Sequence, residues 1–283
     1  MLSDDRVTPP DTQSPGDIRS AVILARGLGT RMRKADPGAE LHDEQGRVAE
    51  SGMKGMIPIG RPFLDYVLAA LADAGLTRVC LVIGPEHDAV RVHYTEKAPP
   101  SRISIDFAVQ EKPLGTADAV LAVEEFAGDE PFVVLNSDNY YPPEALSRLR
   151  STAPPALIGF ARTALIEAGN VPPDRVGRFG ALEIDDTGHL VSITPRGGAL
   201  PGNGEIYASM NCWLFDSRIF DVCRRVPLSP RGELELPRAV QMAIDTSEMK
   251  FTVVRMEAPV LDMTTRGDIA TVQKRLEGKQ VSY

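Results

Sequence analysis

An α/β fold with a mainly parallel central sheet is predicted by three features of the sequence. A short apolar run at residues 21–25 stops abruptly at a glycine-rich turn, as buried parallel strands do where they meet a functional loop. Apolar segments then alternate with amphipathic segments along the first half of the chain. The 283 residues, 43% of them hydrophobic, are enough to bury a sizeable core around such a sheet.

The first half of the chain gives the clearest elements. Residues 61–75 place Phe63, Val67 and Leu71 on one helical face, with Pro62 at the entry, which predicts an amphipathic helix. Short apolar runs bounded by polar turns are typical of strands. We assign strands to residues 21–25, 79–83, 103–109 and 131–135, and helices to residues 61–75, 87–94 and 116–126.

The two ends of the chain and its second half are less regular. Residues 1–18 have too few apolar side chains to offset the entropy of ordering, and we interpret them as a disordered tail. Residues 197–204 are rich in glycine and predict a loop. We assign strands to residues 156–161, 181–184 and 251–256, and helices to about residues 217–225, 236–243 and 265–276.

Charge and cysteine content exclude several classes of protein. A formal net charge of −8 argues against a nucleic-acid binder, because phosphate backbones are held by excess Lys and Arg. Cys80, Cys212 and Cys223 match neither a zinc site nor a disulfide framework. No stretch approaches the roughly 18 consecutive apolar residues of a membrane span, and no signal sequence is recognisable. We therefore expect a cytoplasmic protein that binds neither nucleic acid nor membranes.

The glycine-rich turn after the first strand is a candidate phosphate-binding loop. Gly27 and Gly29 let backbone N–H groups approach phosphate oxygens, although such glycines are also typical of plain turns. The turn matches neither the P-loop pattern nor the dinucleotide-binding pattern. A basic cluster favours a polyphosphate ligand, and a solvated patch paired with acidic residues 40–44 is the alternative. This cluster consists of Arg26, Arg31, Arg33 and Lys34.

Five segments together resemble the signature segments of the sugar-1-phosphate nucleotidyltransferases, also called NDP-sugar pyrophosphorylases. No single segment would suffice, but all five occur in the order of that family, and the resemblance extends from residue 21 to about residue 276. The segments are LARGLGTRM at residues 24–32, MKGMIPIGRP at 53–62, QEKPLGTA at 110–117, LNSDN at 135–139 and LDMTT at 261–265.

The resemblance implies a three-layer, Rossmann-like nucleotide-binding fold with a mixed, mainly parallel sheet and an inserted sugar-binding lobe. It divides a single catalytic domain, residues 19–283, into a nucleotide-binding half (19–150), a sugar-binding half (151–264) and a C-terminal helix and tail (265–283). The implied substrates are a nucleoside triphosphate and a sugar 1-phosphate, and the implied cofactor is Mg²⁺. Oligomeric state cannot be deduced, and a homo-oligomer is an open alternative.

Two carboxylates are candidate metal ligands. Asp138 follows the strand at residues 131–135, and Asp262 follows a short apolar run at residues 258–261. Ligands of open α/β sheets bind at the carboxyl ends of the strands, and two converging carboxylates suit a Mg²⁺ ion bound to substrate phosphates. For Asp138, a turn or helix cap ahead of Pro142 is the alternative.

The resemblance also assigns the nucleotide-binding residues. Arg31 holds the β and γ phosphates, and Lys54 stabilises charge on the α-phosphate, so that Arg31, Lys54 and Asp138 form the catalytic set. One departure is an insert at residues 34–53 ahead of the lysine, which is either a mobile lid or a solvated excursion. The nucleotide-binding set is Leu24, Ala25, Gly27, Gly29, Thr30 and Arg31 in the loop, Gln110 for the base, and Gly115 and Thr116 for base and ribose.

Sugar binding is assigned to four positions. By resemblance, these are Asn139, Gly180, Asn211 and Arg196. A structural turn or a satisfied loop amide is the alternative for Gly180 and Asn211, as it is for Gln110, Gly115 and Thr116. Near residue 193 the family often carries Glu-Lys-Pro, whereas this chain has Ile193-Thr194-Pro195-Arg196. Arg196 is a candidate replacement for the phosphate-binding lysine. The missing glutamate leaves open an unusual sugar or a sugar-like cyclitol phosphate.

Two competing functions are compatible with parts of this pattern. A non-catalytic homologue that binds an NDP-sugar and regulates a partner would share the fold, but loss of the metal carboxylates would be expected. Cytidylyl- or molybdopterin-nucleotide transferases share the glycine-rich loop, but they are not expected to reproduce residues 110–117 and 231–235.

Overall fold

A mixed sheet is the central element of the computed structural model, which describes residues 18–194 and 205–283. Along its main path the strand order is β10-β6-β9-β4-β1-β2-β3, and a hairpin of β7 and β8 joins it through β9. The strands are β1 Ser20–Leu24, β2 Arg78–Ile83, β3 Ser104–Val109, β4 Phe132–Asn136, β6 Ala156–Ala161, β7 Gly180–Ile184, β8 Leu190–Ile193, β9 Tyr207–Phe215 and β10 Thr252–Met256; β5 Asn139–Tyr140 and β11 Leu261–Asp262 form a separate pair.

Helices cover both faces of this sheet. On one face, Ile23 of β1 lies in a core cluster with side chains from α3, α7 and α12, and on the other Val22 packs with α5, α10 and α11. Full burial of one such side chain contributes about 1.5–3 kcal/mol. The helices are α1 Thr30–Arg33, α2 Asp43–Ser51, α3 Phe63–Asp73, α4 Asp88–Val92, α5 Thr116–Leu121, α6 Glu124–Ala127, α7 Pro143–Arg150, α8 Arg162–Glu167, α9 Pro173–Val176, α10 Arg218–Arg225, α11 Leu236–Asp245 and α12 Asp268–Leu276, with a 3₁₀ turn at Lys54–Met56 and a π-helical turn at His93–Lys97.

The predicted fold class is confirmed. Along the seven-strand path, four of the six pairings are parallel, and the two antiparallel pairings both involve β9. The sheet is continuous across the two halves of the chain, because β6, β9 and β10 of the second half extend the parallel sheet of the first. The sequence-based assignment did not include β8, β9 or α7.

Two segments differ from their predicted character. Ile18, the last residue of the predicted tail, is buried, and its carbonyl accepts a hydrogen bond from Arg150 Nε at 2.8 Å. The insert at residues 34–53 is not a solvated excursion, because it contains α2, whose Ala49 is fully buried; a role as a lid stays a prediction. Residues 1–17, the predicted loop at residues 197–204 and Arg196 lie outside the described residues.

The parallel strands bring the predicted site segments to one edge of the sheet. Leu24, the last residue of β1, pairs with Asn136, the last residue of β4. The loop from residue 25 and the segment that carries Asp138 therefore leave the sheet side by side. Gln110 directly follows β3 at the same edge. No helix within residues 18–194 and 205–283 has the length and apolar character needed to cross a bilayer.

Candidate active site

A cavity of about 310 Å³ lies at the carboxyl ends of β1 and β4. All nine residues of the predicted nucleotide-binding set contribute to its lining, together with Lys54 and Asp138. This is the position at which open α/β sheets bind their ligands. Lining residues outside the predicted set are Arg26, Leu28, Gly52, Pro113, Ala119, Asn136, Ser137 and Glu233.

The two glycines of the loop have different structural requirements. Gly29 has a φ of 59°, and a Cβ atom added there would lie 2.3 Å from the carbonyl oxygen of Gly52. A Cβ atom at Gly27 would meet no atom within 4 Å. Gly29 is therefore required by the close approach of the insert, whereas Gly27 leaves open space beside the cavity.

The structure separates the predicted basic cluster into bound and available cations. Arg31 is exposed and has no hydrogen bond or ion pair with any described residue. Arg33 donates to the backbone carbonyl of Ser51 at 2.7 Å. Arg26 is buried and pairs with Glu86. Of these three arginines, only Arg31 can turn its whole guanidinium toward a ligand.

Lys54 and Asp138 form an ion pair inside the cavity. Lys54 Nζ lies 2.6 Å from Asp138 Oδ2, and both side chains are largely buried. Only Met53 separates Gly52 from the 3₁₀ turn that begins at Lys54, so the close contact of Gly52 with Gly29 also fixes the position of the lysine backbone. The pair places a cation and a carboxylate next to the phosphate-binding loop.

The pairing of β5 with β11 brings the two predicted metal ligands together. Asp262 pairs with Asn139 in this ribbon, and Met263 N donates to the carbonyl of Asp138 at 2.8 Å. The Oδ1 atom of Asp262 accepts hydrogen bonds from Asn139 Nδ2 and Thr264 Oγ1, each at 3.0 Å. Its Oδ2 atom is buried and accepts no hydrogen bond from the described residues.

Burial and the neighbouring carboxylate perturb Asp262. Loss of hydration, followed by the charge of Asp138, raises the pKa of Asp262 to about 6, although the Arg175 cation acts in the opposite direction. Arg175 Nε lies 3.5 Å from Asp262 Oδ2. Because its pKa is raised, the ionised form of this carboxyl is stabilised by any cation that approaches the oxygen without a hydrogen bond, Oδ2.

Residues that the sequence did not single out hold Asp262 in place. Asn170 accepts from the backbone N–H of Asp262 at 2.7 Å and donates to its carbonyl at 2.9 Å. Arg175 donates two hydrogen bonds to Asp268, at 2.8 and 2.9 Å, and Asp268 also accepts from the backbone N–H of Thr264. The contacts of Asn170 and Arg175 carry no local sequence signal, because their partners lie 92 and 93 residues away in the chain.

The orientation of the Gln110 side chain is determined by its partners. Its Nε2 atom donates to the carbonyl of Gly115 at 3.0 Å and to Asp118 Oδ2 at 2.7 Å. Both partners only accept hydrogen bonds, so the nitrogen must face them. The Oε1 atom has no partner among the described residues and is not an enclosed atom. Since Gln110 lines the cavity, it presents an acceptor there.

None of the described sugar-binding candidates, Asn139, Gly180 and Asn211, lines the 310 Å³ cavity. The amide of Asn139 is engaged with Asp262. Gly180 begins β7 opposite Ser209, and a Cβ atom there would lie 2.6 Å from Ile193 Cγ2. Asn211 has a left-handed φ of 57° within β9. Close packing is a sufficient structural reason for glycine at position 180, and the left-handed backbone is a sufficient structural reason for asparagine at position 211. Arg196 lies outside the described residues.

The residues present fit a magnesium ion of the substrate-bound kind. Mg²⁺ usually takes one or two carboxylates from the protein and its other ligands from phosphates and water. Asp138 and Asp262 adjoin, and Asp262 has the free oxygen described above. Within the described residues no group of three or more His, Cys, Asp or Glu side chains could hold a metal ion by itself, so such an ion would depend on the substrate.

Together, fold and site define an α/β protein that handles nucleotide phosphates. A glycine-rich loop, an exposed arginine, a lysine and Asp138 line one cavity at the carboxyl edge of the sheet, and Asp262 lies next to Asp138 through the pairing of β5 with β11. The chain belongs to the nucleotidyl transferase family, which its residues 47–274 match. The predicted family is thereby confirmed, and the glycine-rich loop at residues 24–32 lies ahead of the matched range.

Comparisons with individual proteins agree with this family. A glucose-1-phosphate thymidylyltransferase from Streptomyces griseus is 28% identical over 239 residues, which are 83% of this chain and 60% of the relative. A UTP–glucose-1-phosphate uridylyltransferase from Haloferax volcanii is 26% identical over 261 residues, 91% of this chain and 96% of the relative. The chain thus spans about three fifths of the first relative and nearly all of the second.

Solved structures share the fold. A UDP-glucose pyrophosphorylase complexed with UDP-glucose has a TM-score of 0.71 at 16% identity, with 93% of this chain and 100% of that chain covered. A UTP-bound UGPase from Acinetobacter baumannii has a TM-score of 0.68 at 19% identity, with 93% and 95% covered. At these identities the likeness concerns the architecture alone.

Proposed function

We propose that this protein transfers a nucleoside monophosphate from a nucleoside triphosphate to a sugar 1-phosphate, or to a similar cyclitol phosphate. The observation that carries the proposal is the single cavity that collects the glycine-rich loop, Lys54, Gln110 and Asp138. The printed activities of the two relatives above, thymidylyl and uridylyl transfer to glucose 1-phosphate, support the same chemistry.

The reaction is an in-line displacement at phosphorus. An oxygen of the sugar 1-phosphate attacks the α-phosphorus, a new P–O bond forms, and the bond to the bridging oxygen breaks so that pyrophosphate leaves. Such chemistry needs positioning and charge neutralisation more than a covalent nucleophile. The open backbone at Gly27 accommodates phosphate oxygens, exposed Arg31 offers its planar fork to the leaving pyrophosphate, and Lys54 stabilises charge at the α-phosphate.

Asp138 and Asp262 are the proposed ligands of Mg²⁺. When bound, the metal supplies positive charge to phosphate oxygens. Other residues of the protein keep the two carboxylates adjacent. The β5–β11 pairing fixes their backbones, and Asn139 orients Asp262 through a hydrogen bond. Asn139 is therefore proposed to act on the sugar phosphate indirectly, by orienting a metal ligand.

Gln110 is proposed to select the base. Its accessible atom is an acceptor, so it favours a base that offers an N–H group at that edge. Uracil and thymine carry an imide N–H, and guanine a comparable ring N–H, whereas cytosine and adenine carry an unprotonated ring nitrogen at that position and donate only from the amino group beside it. Two acceptors facing each other leave both unpaired, which costs about 1–3 kcal/mol. We therefore expect UTP and dTTP to be preferred over CTP and ATP.

Release of pyrophosphate tests the proposal. The purified protein with Mg²⁺ is given five nucleoside triphosphates against a panel of sugar and cyclitol phosphates, and pyrophosphate is expected only when an acceptor phosphate is present. Asp138→Asn serves as the inactive control and should keep the circular dichroism spectrum of the wild type. Absence of turnover across the whole matrix, or pyrophosphate release that needs no acceptor, contradicts the proposed reaction.

A further inference from the structure

Arg26 connects the glycine-rich loop with the segment that carries Gln110. The side chain is only 8% exposed. Its Nε atom donates to the backbone carbonyl of Gln110 at 2.6 Å, and its Nη2 atom donates to the carbonyl of Glu111 at 3.3 Å. The residue directly before Gly27 therefore holds the backbone at the exit of β3.

Glu86 adds a third strand end to this connection. Arg26 Nη1 lies 3.2 Å from Glu86 Oε1, and Nη2 donates to Glu86 Oε2 at 3.3 Å. Because Glu86 follows β2, one guanidinium links the chain segments that leave β1, β2 and β3. A planar guanidinium with five N–H groups can reach several acceptors at once, whereas the single ammonium of lysine cannot.

These contacts leave Arg26 little capacity to bind phosphate. Its Nε and Nη2 atoms donate hydrogen bonds to protein acceptors, and its Nη1 atom, which forms no hydrogen bond with the described residues, lies 3.2 Å from Glu86 Oε1. Arg31 and Lys54 are the cations placed for phosphate groups instead. Arg26 thus lines the nucleotide cavity without being an obvious ligand of the nucleotide.

We propose that Arg26 is a positioning residue for base selection: it fixes Gln110 relative to the phosphate-binding loop. The inference rests on the proposed function, since it takes a nucleoside triphosphate as the ligand. The phosphates of such a ligand contact the loop while its base meets Gln110 Oε1. A change in the distance between loop and Gln110 alters which atom of the base meets that acceptor. The Arg26 contacts prevent this change.

Equilibrium binding of UTP and CTP, without any acceptor phosphate, provides the test. In Arg26→Ala, the Kd for UTP is expected to rise about tenfold while the Kd for CTP changes little, the size expected for one misplaced hydrogen bond. Arg26→Lys keeps a cation opposite Glu86 but cannot reach both carbonyls. It should lose the same preference for UTP while its thermal midpoint stays close to that of the wild type.

A kinetic measurement separates positioning from general damage. With the preferred triphosphate, the KM of both variants should rise about tenfold and kcat at saturation should change less than about threefold, because the affected interaction serves binding. Arg150→Ala is the matched control: Arg150 also joins two backbone carbonyls, those of Ile18 and Ala74, but does not line the cavity. It should lower stability and leave the UTP-to-CTP ratio unchanged.

The outcomes distinguish this inference from the proposed function. If Arg26→Ala and Arg26→Lys are folded and keep the wild-type UTP-to-CTP ratio, the positioning role is wrong, even if the wild type is an active transferase. If the wild type prefers UTP and both variants lose that preference, the positioning role holds, even if no acceptor phosphate supports turnover. A wild type that binds none of the five nucleoside triphosphates overturns both.

Discussion

Replacing Asp262 with asparagine should remove a loss of stability that the wild type undergoes between acidic and neutral pH, and should weaken its response to magnesium. The carboxyl of Asp262 is buried, and burial together with Asp138 raises its pKa from an ordinary value of 3.8 to about 6. The folded state therefore holds this proton more tightly than the unfolded state. Folding is favoured at low pH, and stability falls as the pH rises from below about 4 to above about 6.

The size of the effect follows from the two pKa values. A difference of about 2.2 pKa units corresponds to about 3 kcal/mol, since one unit is worth about 1.4 kcal/mol. Asparagine does not titrate, so this loss is absent from Asp262→Asn. The free energy of unfolding of the variant, minus that of the wild type, should rise by about 2 kcal/mol between about pH 4.5 and about pH 8, because part of the effect is already present at the lower pH.

Urea unfolding without Mg²⁺, followed at both pH values for both proteins, measures this difference. Any pH-independent cost of the new amide next to Arg175 cancels in the comparison. Adding Mg²⁺ together with a nucleoside triphosphate at the higher pH should then stabilise the wild type more than the variant, because a ligand that binds only the folded state raises its stability. A difference that stays flat with pH would falsify the claim that Asp262 is the perturbed group.

Asp185→Asn supplies a control of opposite sign. Hydrogen bonds from the backbone of His189 and from Thr187 lower the pKa of Asp185 to about 2. Its contribution to stability is present above the ordinary pKa of 3.8 and is lost as the pH falls toward 2. For this variant the difference from the wild type should therefore fall, rather than rise, as the pH increases from about 2 to about 4, and it should change little between about pH 4.5 and about pH 8.

Three further predictions concern the loop, the lysine and the amide. Gly29→Ala should cost about 1–3 kcal/mol in urea unfolding, because φ is 59° and the methyl would meet Gly52, whereas Gly27→Ala should stay within about 0.5 kcal/mol of the wild type; equal losses would contradict this distinction. Lys54→Met should lower kcat about 10²- to 10³-fold in a pyrophosphate-release assay with an unchanged unfolding midpoint, and near-normal kcat would remove the lysine from the reaction. Asp118→Ala removes an acceptor for Gln110 Nε2, so the UTP-to-CTP ratio of kcat/KM should fall about tenfold; an unchanged ratio would mean that Asp118 does not orient the amide.

The parallel half of the fold was predictable because its strands are buried on both faces. Such strands are continuous apolar runs, and the runs at residues 79–83 and 131–135 coincide with β2 and β4 to within a residue at each end. The long strand β9 was missed because its pattern is interrupted. Ser209 and Asn211 break the apolar run, and the left-handed backbone at Asn211 and a register shift opposite it disturb the regular alternation.

The nucleotide side of the candidate site was also predictable, because its residues directly follow strands whose ends meet at one edge. The supporting contacts were not. Arg26 reaches Gln110 across 84 residues of sequence, and Arg175 reaches Asp268 across 93. A basic residue beside a glycine-rich loop has the same local signal whether it faces a phosphate or a neighbouring strand. Only the tertiary pairing decides between these roles.

The insert at residues 34–53 shows how this ambiguity affects the site. Its acidic exposed face is compatible with a free excursion, yet Ala49 and Gln45 are buried and Gly52 packs against Gly29. The Gln45 side chain donates to the carbonyl of Pro58 and to Gln273 on α12. The segment between the phosphate-binding loop and Lys54 is therefore held at both ends of α2. Because Lys54 follows Gly52 by two residues, the docked insert, rather than a short direct connection, sets the position of the lysine beside Asp138.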